Sequence, residues 1–335
     1  MFVPTLLAHM STWPSPTAAL EVWLVVAALF ISAMLEPILL YFISLLLFGL
    51  PHVLTELAFV RQRFRPRGGN LFWHVIGFFI LLEGALRLGG QQTGLSGTDL
   101  ATLELGLLAA LIASVLLVSR AAGQTGWGRL LASAGAGAIG LLLFHGEILS
   151  SLMLLALLHN FTPLAFVTDL ARDDARLRAQ ARTMWLVFAL PALAGCCAWT
   201  WQTASWTLNW HSDFMAERFM AQVAGDWFSV RVQSAILTAA ALAQCLHYYA
   251  VIRWLPSLLP ASPGAWLPRR WVYVIVLASL ALSVLFVLDY QHARWLYGAA
   301  AGVHAWLEWP LLVLIVSGWR VPSSQVNVLS NERNR

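Results

Sequence analysis

The chain has 335 residues, of which 59% are hydrophobic and only 11% charged, with a mean hydropathy of +0.72. A water-soluble domain of this size has roughly a quarter of its residues charged, so the composition excludes an ordinary soluble globule. The net charge of +4 comes from arginines spread over short segments, not gathered in one patch, which argues against a nucleic-acid-binding surface.

Apolar runs recur from residue 18 to residue 319, and many exceed the roughly 18 residues that mark a membrane span. In chain order the expected spans are 18–35, 37–60, 71–88, 100–118, 130–147, 148–170, 183–201, 228–252, 271–289 and 298–319. The first run has no basic segment before it and no A-x-A-like site after it, so it is expected to be a retained span, not a signal peptide. The fold class expected is all-α: a polytopic transmembrane bundle of about ten spans, one domain over 1–320, and a flexible cytoplasmic tail over 321–335. The longest outer connection, 202–227, carries Trp206, Trp210 and Trp227 and reads as an interfacial aromatic anchor.

Orientation follows from arginine alone, since the chain has no lysine. Alternate connections and the tail hold Arg61, Arg63, Arg65, Arg67, Arg120, Arg129, Arg172, Arg176, Arg178, Arg182, Arg253, Arg269, Arg270, Arg320, Arg333 and Arg335. The opposite side has only Arg87, Arg218, Arg231 and Arg294. By the positive-inside rule both termini are expected in the cytoplasm, and the protein in a bacterial inner (plasma) membrane. Cys196, Cys197 and Cys245 form neither a metal-type CxxC spacing nor a disulfide framework.

A titratable side chain inside a span costs several kcal/mol unless it is paired or hydrated. The second span carries His52 and Glu56, the third His74 and Glu83, and the sixth His159 followed by Asn160. The eighth carries His247, flanked by Gln244, Tyr248 and Tyr249, and the tenth carries His304 and Glu308. His52/Glu56 and His304/Glu308 are both H-x3-E pairs, and residues four apart share one helix face. At ~1.5 Å per residue, His52, His159, His247 and Glu308 lie at overlapping depths, roughly 9–18 Å from the cytoplasmic ends of their spans. His52, Glu56, His159, His247, His304 and Glu308 are therefore expected to converge on one site. Four imidazoles and two carboxylates without thiolates suit a metal ion, with Fe(II) favoured over zinc or copper. Pro51, Pro163 and Pro310 are expected to kink helices beside these positions. His74, beside Trp73, reads as structural, and an outer group of Glu36, Glu104, His145, Glu147, His211, Asp289 and His292 reads as mostly solvated.

The segment Gly49-Leu50-Pro51-His52 with the acid at Glu56 resembles the G-x-P-H-G-x-x-D signature of the Brp/Blh family of membrane β-carotene 15,15′-dioxygenases. The run His145-Gly146-Glu147 is similar to a second histidine motif of that family. Val53 and Glu56 stand where the family has glycine and aspartate. The resemblance implies His52 as an iron ligand and a long apolar polyene as substrate.

The leading expectation is a membrane non-haem iron oxygenase acting on a lipid-like or polyene substrate. His52, His159, His247 and His304 would be metal ligands, with Glu56 and Glu308 as catalytic or orienting carboxylates. A proton-coupled transporter using the same residues, a haem-binding membrane protein and a structural membrane subunit are the alternatives. The partners expected are the bilayer and an apolar small molecule, with no nucleic acid. No nucleotide-binding loop is present to support direct ATP use.

Overall fold

The computed structural model describes residues 16–65, 69–90, 94–120, 137, 148–201, 229–258 and 269–316. All regular structure among them is helical. In lipid this is the physical requirement, because a helix satisfies its own backbone donors and acceptors where no water is available. Seven helical stretches are long and apolar enough to cross a membrane: Pro37–Phe64, Asn70–Gly89, Gly97–Val118, Leu154–Arg172, Ala175–Thr200, Arg231–Leu258 and Trp295–Val316. Leu20–Leu35 and Val272–Leu288 are shorter apolar helices. These nine lie where spans were expected; the expected span 130–147, the connection 202–227 and the tail 321–335 fall outside the described residues, apart from Gly137.

The helices are α1 (Pro16–Leu35), α2 (Pro37–Phe64), α3 (Asn70–Gly89), α4 (Gly97–Arg120), α5 (Ile148–His159) and α6 (Thr162–Asp173). There follow α7 (Arg178–Val187), α8 (Leu190–Trp201), α9 (Val230–Tyr249), α10 (Leu255–Leu258), α11 (Arg269–Leu288) and α12 (Tyr290–Val316). Two of the expected spans are interrupted, and proline is the reason in each. Pro163 cannot donate to the carbonyl of His159, so α5 stops there in two tight turns, Asn160 to Leu157 at 3.1 Å and Phe161 to Leu158 at 3.0 Å. The next helix then starts with Pro163 in its first turn, where a missing N–H is harmless. Pro191 likewise separates α7 from α8. Pro51 and Pro310 instead remain inside α2 and α12.

Contacts group the chain into two compact units, Met1–Thr55 with Leu152–Tyr297, and Glu56–Ser151 with Gly298–Arg335. In the first, α9 is the central helix: 72% of its apolar stretch is buried, a larger share than in any other described span. It packs most extensively on α8, with α1 against both. Small side chains allow the close approach. A Cβ on Gly195 would lie 3.2 Å from the Ala235 carbonyl oxygen and 3.3 Å from the Ala239 Cβ, the packing that brings membrane helices into contact without a hydrophobic driving force. Two polar links tie further helices in. Gln244 of α9 donates from Nε2 to the Tyr41 carbonyl at 3.2 Å and to Ser44 Oγ at 2.9 Å, both on α2. Ser283 of α11 donates to the Leu46 carbonyl at 2.9 Å.

In the second unit α3 packs against α4. The helix α4 opens on a reciprocal cap: the Asp99 N–H donates to Ser96 Oγ and the Ser96 N–H to the Asp99 carboxylate, each at 3.1 Å. Between the two helices an ion cluster forms. Arg87 pairs with Glu83 one turn earlier and with Glu104 of α4, and it donates to the Gly298 carbonyl of α12 at 2.7 Å. Glu83 is fully buried and Glu104 is 13% exposed, so Glu104 is not the solvated outer carboxylate expected from its position near a helix end. Removing one partner of such a pair leaves an uncompensated charge in an apolar surround, which is the costly change.

Gly302 makes room for this cluster: a Cβ there would lie 2.9 Å from the Arg87 Cζ and from Glu83 Oε1, whereas a Cβ on Gly298 would meet nothing within 4 Å. Gly302→Ala is therefore expected to destabilise the protein by ~1–3 kcal/mol through overpacking. Gly298→Ala is expected to be neutral or to stabilise by up to ~1 kcal/mol, since glycine weakens a helix interior. Unfolding midpoints of the two variants in detergent check the contrast.

Candidate metal centre

Three of the histidines marked out by the sequence meet inside the first unit, each from a different helix. His52 sits mid-way along α2, His159 is the last residue of α5, and His247 lies near the end of α9. The ring centroids of His52 and His247 are 5.2 Å apart, and those of His159 and His247 4.7 Å. Each of the three offers a ring nitrogen within 4.8 Å of the others. His52 and His247 are 1% and 0% exposed. His159 keeps some exposure at its helix end, yet its Nδ1 is sealed from solvent.

Local structure explains each placement. The end of α5 at His159, imposed by Pro163, sets that imidazole at a helix terminus. The Gln244 link holds α9 against α2 three residues before His247 and eight before His52. Immediately after Tyr249 the backbone widens into a π-helical segment, Ala250–Trp254, with the Ala250 N–H shared between the His247 and Leu246 carbonyls. Such bulges re-aim neighbouring side chains and recur at functional sites. His52 Nδ1 lies 3.1 Å from the Phe48 carbonyl oxygen. A carbonyl only accepts, so Nδ1 carries the proton and donates, which makes Nε2 the lone-pair nitrogen available to a metal.

The donor set fits a metal ion. Metal–imidazole bonds of ~2.1 Å place neighbouring ligand nitrogens roughly 3–4 Å apart, and nitrogens within 4.8 Å reach that spacing by small ring movements. Three neutral imidazoles in a dry interior offer lone pairs without bringing in charge, which suits a first-row transition metal more than calcium or magnesium.

Glu56 is buried on α2 one turn beyond His52, and belongs to the second unit. His304 and Glu308 are buried one turn apart on α12, also in the second unit, continuing the helix that carries Tyr297 in the first. His74 is exposed on α3. Asp289 and His292 form an exposed pair at 2.6 Å across one helix turn. His145, Glu147 and His211 lie outside the described residues.

Sequence reasoning missed Tyr297 as a neighbour of the site. Tyr248 lies with its ring stacked on His52, centroids 4.2 Å apart at 27°, and its hydroxyl is 3.2 Å from that of Tyr297. Tyr248 is marked by its place beside His247; Tyr297 carries no such marker. It also missed the Arg87 cluster, although the Glu83–Arg87 spacing of four was a readable signal.

No protein-family model, curated protein or solved structure matches the chain. The site must therefore be read from its own chemistry.

Because Gln244 spans two helices, Gln244→Leu is expected to cost about 1–2 kcal/mol, near the upper range for polar links between membrane helices. Equilibrium unfolding in mixed micelles measures it, with the exposed His74→Ala as a reference expected to stay within ~0.5 kcal/mol.

Proposed function

We propose that the protein is an integral-membrane metalloprotein whose histidines hold a transition-metal ion, and that it acts as a non-haem iron oxygenase on a lipid-like or polyene substrate. The observation that carries the reading is the meeting of His52, His159 and His247 from three separate helices in an apolar interior. Burying three imidazoles together costs conformational entropy and desolvation, and a shared ion offsets both. His304 is proposed as the fourth ligand, since it is buried and stands in an H-x3-E pair with Glu308 as His52 does with Glu56. Glu56 and Glu308 are proposed to orient the imidazoles or to hold a proton beside them. When bound, Fe(II) supplies the activation of dioxygen. The chain's own residues fix the ligand geometry, exclude water and present an apolar surround to a substrate entering from the bilayer.

The Gly49-Leu50-Pro51-His52 segment, similar to the Brp/Blh signature, supports iron and a polyene within this reading. The arginine distribution supports ten spans with both termini cytoplasmic. The buried Glu56 and Glu308 favour one other reading, a proton-coupled transporter in which the same groups form a relay. That protein would show pH-dependent flux in proteoliposomes and no oxygen consumption with an apolar polyene.

Elemental analysis with an optical spectrum on detergent-purified protein tests the proposal. About one metal ion per chain is expected, with no haem bands. The content should fall by roughly tenfold or more in His52→Ala, His159→Ala and His247→Ala, and stay unchanged in His74→Ala. A metal-free protein, or variants with the same metal content as the wild type, would overturn the assignment.

A further inference from the structure

A histidine's terminal torsion has broad, shallow minima, so its side chain does not fix the plane of its own ring. For His52 the Nδ1 bond to Phe48 sets which nitrogen carries the proton, and it acts at the edge of the ring, not on its face. Something must therefore hold the face of the imidazole. Three residues around it do so, and each has its own geometry.

Tyr248 covers the ring: the two ring centroids lie 4.2 Å apart and the planes meet at 27°, a stacked pair. Its hydroxyl meets that of Tyr297 at 3.2 Å. Tyr297 is seated in turn on bare backbone at Gly49, one turn before His52: a Cβ on Gly49 would lie 2.8 Å from the Tyr297 Cε2. The glycine that opens the Gly49-Leu50-Pro51-His52 segment thus has a steric task of its own. It lets an aromatic ring from α12 lie against α2 and reach the phenol that covers the histidine.

We propose that Gly49, Tyr297 and Tyr248 form a positioning assembly that fixes the plane of the His52 imidazole and so keeps its Nδ1 proton on the Phe48 carbonyl. This rests on the metal-centre reading only for its purpose, to hold Nε2 toward an ion. The phenols are positioning residues: they act through His52 and need not touch metal or substrate. The order of importance follows from the geometry. Losing the Tyr248 ring removes the stack; losing either hydroxyl removes only the link between the phenols.

The test uses the full chain in detergent, metal-free at neutral pH and labelled with 15N-histidine, with the His52 signals assigned by their loss in His52→Gln. Wild type is expected to give two well-separated His52 ring nitrogens, one protonated and one not. In Tyr248→Leu they should move toward a common averaged value. Tyr248→Phe and Tyr297→Phe should give the same smaller shift, because each removes the same hydrogen bond. Gly49→Ala should reproduce Tyr297→Phe; if it fails to fold, Tyr297→Phe carries this arm. Unchanged His52 signals in a folded Tyr248→Leu protein would overturn the proposal. A parallel titration with Co(II) should show about tenfold weaker binding in Tyr248→Leu. Wild-type protein that takes up no Co(II) but shows the tautomer response would sink the metal-centre reading and leave the positioning assembly standing.

Discussion

The pair of hydrogen bonds from Gln244 of α9 to α2 is the interaction on which the candidate centre depends. Gln244 reaches out of the most buried helix to a carbonyl and a hydroxyl on a helix some two hundred residues earlier in the chain. In an apolar surround, a side-chain amide without such partners would carry the full cost of its lost hydration. The bond thus specifies one approach of the two helices over others that van der Waals packing alone would tolerate. Given that approach, His52 and His247 face each other, and the end of α5 delivers His159 to the same place.

Proline has two different uses in this chain. Near His159 it ends a helix outright and sets an imidazole at the terminus, where the ring is freed from the regular helix surface. At Pro51, beside His52, the helix continues, and the Thr55 hydroxyl donates to the Pro51 carbonyl at 2.8 Å. The π-helical segment after Tyr249 adds a third departure from regular helix. Regular helices present side chains at fixed angles, so departures near a site are what allow residues from separate helices to converge.

The second unit solves a different electrostatic problem. Two carboxylates and one guanidinium sit together with a backbone carbonyl, with glycine at Gly302 leaving the space. Here a guanidinium is shared between carboxylates within the protein, whereas at the three histidines neutral donors are gathered. Arg87 already occupies the carboxylates of the ion cluster, so the imidazoles, not that cluster, read as a place for a cation.

The amino-acid sequence alone determined the all-helical membrane character, because a charged fraction of 11% and runs of apolar residues leave no other way to satisfy the backbone in lipid. It also marked His52, His159 and His247, since titratable residues stand out in apolar spans. Helix depth could be counted at a fixed rise per residue, but rotation and neighbour choice could not. Only the tertiary structure decided that the three imidazoles share one interior and that the covering ring comes from Tyr248. It alone showed that Gly49 seats Tyr297, and that Glu104 belongs to an ion cluster when its place near a helix end had implied solvent. The reason is physical: the span pattern records how apolar a helix is and where it ends, while the choice of partner helix rests on a few close contacts between residues far apart in the chain.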